Sequence, residues 1–179
     1  MTKVYLDMDG VLADFFGRWE EIIGCSYKEI NSAEQFSIAA DKFIKGTDFF
    51  YTLKPFDHAK SLTSMIKEIF SSKPNILSAP IAGDIEHTVK MKTKWLNENI
   101  GEDQIGEKIF THDKHIYANG NILIDDYLPN LVKWAKNGGI GIKYKANSNK
   151  YEFSDLFKAI NNAKTISDLE MKGQIIFLR

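Results

Sequence analysis

The chain has 179 residues, 44% hydrophobic and 26% charged, with a formal net charge of −1, which describes one ordinary globular domain with room for a small insertion. That balance excludes a global field recruiting nucleic acid or an anionic membrane, and no stretch approaches the roughly 20 apolar residues that cross a bilayer. The single cysteine, Cys25, excludes an intramolecular disulfide and a cysteine-based zinc site.

In chain order, Val4-Tyr5-Leu6 is a short apolar run of β-formers that stops at Asp7-Met8-Asp9-Gly10. The two aspartates interrupt the only early apolar run, so no secretory leader is expected and the expected location is cytoplasmic. Further short runs are Ile76-Leu77, Ile109-Phe110, Ile122-Leu123-Ile124 and Ile140-Gly141-Ile142, each the pattern of a strand buried on both faces. Helical patterns separate them. Asp57 is placed to cap one with the stripe Ala59, Leu62, Met65, Ile66 and Ile69; Asp84 is placed to cap another with Ile85, Val89, Leu96 and Ile100. Pro129 suits the first turn of a third, which stops at Gly138-Gly139. Strands alternating with helices predict a three-layer, Rossmann-like α/β core with a parallel sheet. The last apolar stretch, Ile175 to Leu178, suits an added edge strand, a core contact or a contact with a second subunit in a homodimer.

One interval breaks the rhythm. Residues 15–56 hold ten aromatics, from Phe15 to Phe56, and a structureless loop of that length is unusual. The expected organisation is a core of residues 1–14 and 57–179 with a small helical cap, residues 15–56, inserted after the first strand.

Ligands of open α/β sheets bind beyond the carboxyl ends of the strands. Asp7, Asp9, Ser78, Asp125 and Asp126 all fall there. An isolated strand-end aspartate is usually a turn former. Several converging at one sheet edge repel one another unless a cation holds them, and hard oxygen donors favour magnesium. In Asp7-x-Asp9, one carboxylate faces phosphorus as a nucleophile while the other serves the leaving and entering oxygens as acid and base. Gly10 permits the tight turn that follows. Lys92 projects into the apolar stripe of its helix, where a lysine either snorkels outward or meets a buried anion; beside carboxylates it is expected to neutralise a phosphoryl oxygen. Ser78 supplies a hydroxyl, and its neighbour Ala79 a backbone N–H, to the same group.

These residues carry a resemblance. The stretch from Asp7 to Phe15, Asp-Met-Asp-Gly-Val-Leu-Ala-Asp-Phe, resembles the first motif of the haloacid dehalogenase superfamily and, more narrowly, of the 5'(3')-deoxyribonucleotidase family. Ser78-Ala79-Pro80, Lys92 before Trp95, and Leu123-Ile124-Asp125-Asp126 resemble its later motifs, and Phe49-Phe50-Tyr51 the end of its cap. The resemblance implies an aspartyl-phosphate on Asp7 with Asp9 as acid/base, and magnesium held by Asp7, Asp126 and the Asp9 carbonyl with Asp125 in support. It implies Lys114 near the phosphate, Phe15 and Phe50 around a nucleobase, and a deoxyribonucleoside monophosphate as substrate. His112 stands where mammalian members carry arginine, and Asn31 to Lys45 departs from the family's base pocket. Another small phosphomonoester, a nucleic-acid 3' end or a non-catalytic phospholigand module are the rival readings.

Overall fold

The computed structural model describes residues 2–145 and 153–178. Six strands, β1 (Val4–Leu6), β2 (Asn75–Ser78), β3 (Lys108–Phe110), β4 (Ile122–Asp125), β5 (Ile140–Lys143) and β6 (Gln174–Phe177), form one parallel sheet in the order β3-β2-β1-β4-β5-β6. The five expected strands form, but β3 stands at the sheet edge and is only half-buried, where burial on both faces was expected. The C-terminal stretch meets two of its three alternatives: it pairs with β5, Ile142 facing Ile176, and Ile175, Ile176 and Leu178 pack against the core.

Side chains alternate across this sheet, and the alternation sorts the core into two layers. Val4, Leu6, Ile76, Ile122, Ile124, Ile140 and Ile142 point to one face, against Leu62 and Ile66 of α3 (Ala59–Phe70), Trp95 and Leu96 of α4 (Ile85–Asn99), and Ile160 of α6 (Phe153–Asp168). Tyr5, Leu77 and Leu123 point to the other, against Leu131 and Trp134 of α5 (Leu128–Lys136) and a 3₁₀ turn, Lys114–Tyr117. The result is the expected three-layer α/β core. Between β1 and α3 the chain makes two further helices, α1 (Phe15–Ile23) and α2 (Ala33–Phe43), and a 3₁₀ turn at Tyr27–Glu29.

Two expected caps are not made. His58, not Asp57, occupies the N-cap of α3, without a side-chain hydrogen bond, because the helix begins at Ala59. Asp84 does occupy the N-cap of α4, but its carboxylate accepts the Gly46 N–H at 3.0 Å instead of one from its own helix. A tertiary donor has displaced the local one.

The strand order reverses between β1 and β4, whose connections leave in opposite directions. That reversal opens a crevice at the carboxyl ends of the two strands.

Gly139, read from sequence as a turn residue beside Gly138, serves close approach. A Cβ there would lie 2.8 Å from the Ala118 carbonyl oxygen and still closer to the Trp134 indole. Gly139→Ala is therefore expected to cost about 1–3 kcal/mol through overpacking. For a chain of this size that lowers Tm by roughly 2–4 °C per kcal/mol in a thermal melt; an unchanged Tm would show that Trp134 moves aside freely.

Candidate active site

Beyond Leu6 the β1–β4 ladder continues for one more bond, Asp7 N–H donating to the Ile124 carbonyl at 3.0 Å. The chain then turns tightly, the N–H groups of Leu12 and Ala13 both donating to Met8 O at 2.9 Å. Gly10 sits in this turn at φ +73°, and a Cβ on it would lie 2.6 Å from Asp126 Oδ2. Both the left-handed backbone and the approach of Asp126 require glycine.

Asp7 and Asp125 thus leave neighbouring strand ends as like charges, and a buried lysine lies between them. Lys114 Nζ is 3.0 Å from Asp7 Oδ1 and 2.7 Å from Asp125 Oδ2. Burial alone would lower the Lys114 pKa, but the two carboxylates outweigh it and hold the ammonium well above the usual lysine range. Asp7 Oδ1 also accepts the Met8 N–H at 2.8 Å, whereas Asp7 Oδ2 accepts none among the described residues. Both oxygens of Asp125 are taken: Tyr127 N–H donates to Oδ1 at 2.7 Å, and Asn130 Nδ2 joins Lys114 on Oδ2 at 2.9 Å. Burial, then the charge of Asp7, raises the Asp125 carboxyl above its ordinary value against the pull of Lys114.

One oxygen from each of Asp7, Asp125 and Asp126 lies within 4.8 Å of the others. Asp126 accepts no side-chain hydrogen bond among the described residues, and its pKa is raised well above the ordinary value by burial, then by Asp7 and Asp125. Crowded carboxylates of this kind stay ionised only beside a cation, and an all-oxygen donor set suits a hard divalent ion. The residues fit magnesium. Asp125 stands behind Asp7 and Asp126 because its own oxygens are already committed. The Asp9 carboxylate lies outside this trio and faces Lys92.

Lys92 is fully buried on α4. Its Nζ donates to Asp9 Oδ2 at 2.6 Å, to Ser78 Oγ at 2.9 Å and to the Ala79 carbonyl at 2.8 Å, and lies 4.6 Å from the Phe50 ring centroid. It is not an intruder on an apolar stripe. The buried face of α4 is Thr88, Lys92, Trp95 and Leu96, while Ile85 is 57% exposed, so the stripe read from sequence was rotated towards solvent at its start. Burial raises the Asp9 carboxyl, Lys92 pulls it down and Asp7 raises it again. Asp9 Oδ1 is buried without a hydrogen-bond partner among the described residues.

A cavity of about 420 Å³ runs from Asp7, Asp9 and Asp126 along walls that include Phe15, Phe16, Tyr27, Phe36 and Phe50, with Lys45, Ala79 and His112 also lining it. All ten sequence-predicted site residues therefore converge on this cavity or on the carboxylate cluster beside it. Sequence reasoning missed Asn130, which steadies Asp125, and Lys143, whose Nζ donates to the Asp126 and Tyr144 carbonyls. It did not separate Tyr27, Phe36 and Tyr127, which line the cavity, from ordinary aromatics. The one signal for Asn130 was its place in the first turn of the helix that follows Asp125-Asp126.

Residues 1–172 match the family described as 5' nucleotidase, deoxy (pyrimidine), cytosolic type C protein. Among solved structures, a haloacid dehalogenase-like family hydrolase from Xanthomonas campestris is similar, with a TM-score of 0.49 and 9% identity over 95% of this chain and 97% of that one.

The Asp126 pKa is raised in the fold, so its contribution to stability is present below about pH 3.9, its unfolded value, and is lost as the pH climbs through the raised folded value. In chelator at neutral pH, Asp126→Asn is therefore expected to melt no lower than the wild type. Magnesium at about 100 times its Kd is expected to add about 2.7 kcal/mol to the wild type. A melt in which Asp126→Asn gains as much from magnesium as the wild type would remove Asp126 from the metal site.

Proposed function

This chain belongs to the 5' nucleotidase, deoxy (pyrimidine), cytosolic type C family and is a phosphatase, and on that premise we propose that it hydrolyses deoxyribonucleoside 5'- or 3'-monophosphates through a phosphoryl-aspartate on Asp7. The observation that carries the reading is the state of the two carboxylates. Asp7 has Oδ1 anchored by Lys114 and the Met8 N–H, leaving Oδ2 without a protein partner among the described residues. Asp9 has Oδ2 anchored by Lys92 and Oδ1 unpartnered. Each is fixed by one oxygen and free at the other.

In the first displacement, the free Asp7 oxygen attacks phosphorus and the bond to the nucleoside oxygen breaks. Asp9, whose raised pKa favours the protonated form, gives its proton to that oxygen. In the second, Asp9 takes a proton from water as the water oxygen attacks the same phosphorus, and the Asp7 carboxylate departs from inorganic phosphate. Lys92, tied to both Asp9 and Ser78, fixes the acid/base group against the phosphate pocket, where the Ser78 hydroxyl and the Ala79 N–H receive phosphoryl oxygens. Magnesium held by Asp7 and Asp126, with the Asp9 carbonyl as a further oxygen and Asp125 in support, would neutralise charge on the phosphoryl oxygens. Lys114 keeps the Asp7 carboxylate oriented.

Residues 15–56 act in this reading as the cap. They bring Phe15, Phe16, Tyr27, Phe36 and Phe50 over the carboxylates, offering a base aromatic faces and excluding water from the intermediate. The family is named as a cytosolic one, and among the described residues no helix is long and apolar enough to cross a membrane. We place the protein in the cytoplasm on that description.

Asp7→Asn is expected to lower kcat on dTMP by at least about 1,000-fold and to abolish acid-quench trapping of labelled phosphate on the protein. Asp9→Asn is expected to cost about 100- to 10,000-fold. Retained trapping in Asp7→Asn would refute the nucleophile assignment. Equal kcat/KM for glycerol phosphate and dTMP would refute the nucleotide reading while leaving the chemistry.

A further inference from the structure

We propose that Lys143 is a positioning residue for the metal ligand Asp126: its ammonium holds the Asp126 main chain so that the carboxylate points at Asp7 and Asp125. This rests on the magnesium site proposed above.

The three clustered carboxylates are held in different ways. Asp7 is anchored through Oδ1 by Lys114 and the Met8 N–H. Asp125 is anchored through both oxygens, by Lys114, Asn130 and the Tyr127 N–H. The Asp126 carboxylate has no donor among the described residues, yet it supplies one of the three oxygens that lie within 4.8 Å of one another. Its Oδ2 rests against Gly10, where a Cβ would stand 2.6 Å away. That contact limits the side chain without giving it a direction. The direction is set by the main chain that carries it.

Lys143 fastens that main chain. It stands half-buried at the end of β5, in register with Asp125, and the Tyr144 N–H continues the ladder by donating to the Asp125 carbonyl at 2.9 Å. In an unbroken parallel ladder the next donor would be the Tyr127 N–H, to the Tyr144 carbonyl. That N–H turns to Asp125 Oδ1 instead, at 2.7 Å. The Lys143 ammonium takes its place, donating to the Tyr144 carbonyl at 2.7 Å and to the Asp126 carbonyl at 2.5 Å. One side chain thus joins the ends of β4 and β5 at the metal ligand.

Lys92 and Lys114 meet carboxylates, whereas Lys143 meets two carbonyls. It therefore fixes the ligand while leaving both carboxylate oxygens to the metal. Charge-assisted bonds of this kind are stronger than neutral ones, and outer partners that orient a ligand govern metal affinity. A role through charge alone predicts the opposite sign. An ammonium repels an arriving cation, so removing it for charge alone would tighten magnesium binding. Removing it as the support of Asp126 weakens binding.

The test is the magnesium Kd of the substrate-free protein by titration calorimetry, for the wild type, Lys143→Met and Lys143→Arg. The magnesium dependence of aryl phosphate hydrolysis is measured alongside. Lys143→Met is expected to raise the Kd by about 10- to 100-fold, the usual cost of losing an outer partner of a metal ligand. Its kcat should return to the wild-type value at saturating magnesium. Lys143→Arg, which retains the charge and the donors, should recover most of the affinity. Lys143→Gln keeps a donor without the charge; it should fall between Lys143→Met and the wild type, and it serves as the second variant should Lys143→Met fold poorly. An unchanged or lower Kd on losing the lysine, or a kcat still depressed at saturating magnesium, overturns the inference and leaves the magnesium site standing. So does failure of both Lys143→Met and Lys143→Gln to fold, which would make Lys143 a support of the sheet and not of the ligand. A wild type that binds no magnesium, or an Asp126→Asn variant that binds it as tightly as the wild type, overturns the site and the inference together.

Discussion

Two aspartates end adjacent parallel strands here, and everything about the site follows from holding them together. Register alone creates the problem: Leu6 faces Ile124, so Asp7 and Asp125 emerge side by side. Alternation along the strands then sends both towards the face occupied by Tyr5 and Leu123. The 3₁₀ turn and α5 cover that face, which is why Lys114 and Asn130 reach these carboxylates. Lys92 arrives from α4 on the opposite face and meets Asp9, which lies beyond the end of the strand. The sheet edge is thus clamped by one lysine from each layer, Lys114 on the Asp7–Asp125 pair and Lys92 on Asp9.

Such an arrangement is poor economy for stability. Desolvating two lysines and several carboxylates costs several kcal/mol per ion, which mutual attraction repays only with good geometry. The geometry is accordingly close: every pairing in the cluster lies between 2.6 and 3.0 Å. Repulsion is left unresolved at Asp126, whose carboxylate has no donor among the described residues, next to the Asp7 oxygen that likewise has none among them. Surplus negative charge left on the side open to the cavity suits a cation there.

The parts legible in the sequence share one property: they follow from period or from position along the chain. Buried parallel strands write themselves as short apolar runs, so β1 to β5 and the strand-end aspartates could be read directly. Ile175 to Leu178 could not be assigned, because an edge strand, a core contact and a subunit contact draw on the same apolar residues. Asp84 shows the converse failure. Its local signal was a helix cap, yet the Gly46 N–H arrives from 38 residues away and takes the carboxylate. Lys114 gave no local signal at all, since only the folded sheet puts it between Asp7 and Asp125; its place by the phosphate came from family resemblance.

The aromatic segment between β1 and α3 shows why the other end of the site resisted reading. Trp19 stacks on Phe36 at 5.6 Å with only 9° between the rings, and Phe15 meets Trp19, Tyr27, Phe49 and Phe50 within 6.3 Å. Phe15, Phe36 and Tyr27 also line the cavity. The core of this segment and the cavity wall are therefore one set of rings, packed on one side and open on the other. A sequence records that a residue is aromatic, not which face of its ring is covered. Charges at the carboxylate end are constrained by register, which brings Lys114 and Lys92 to hydrogen-bond distance of Asp7, Asp125 and Asp9. Rings at the other end are constrained only by volume, and many packings satisfy volume. The carboxylate end of the site is accordingly written in the order of the strands, while the aromatic end is not.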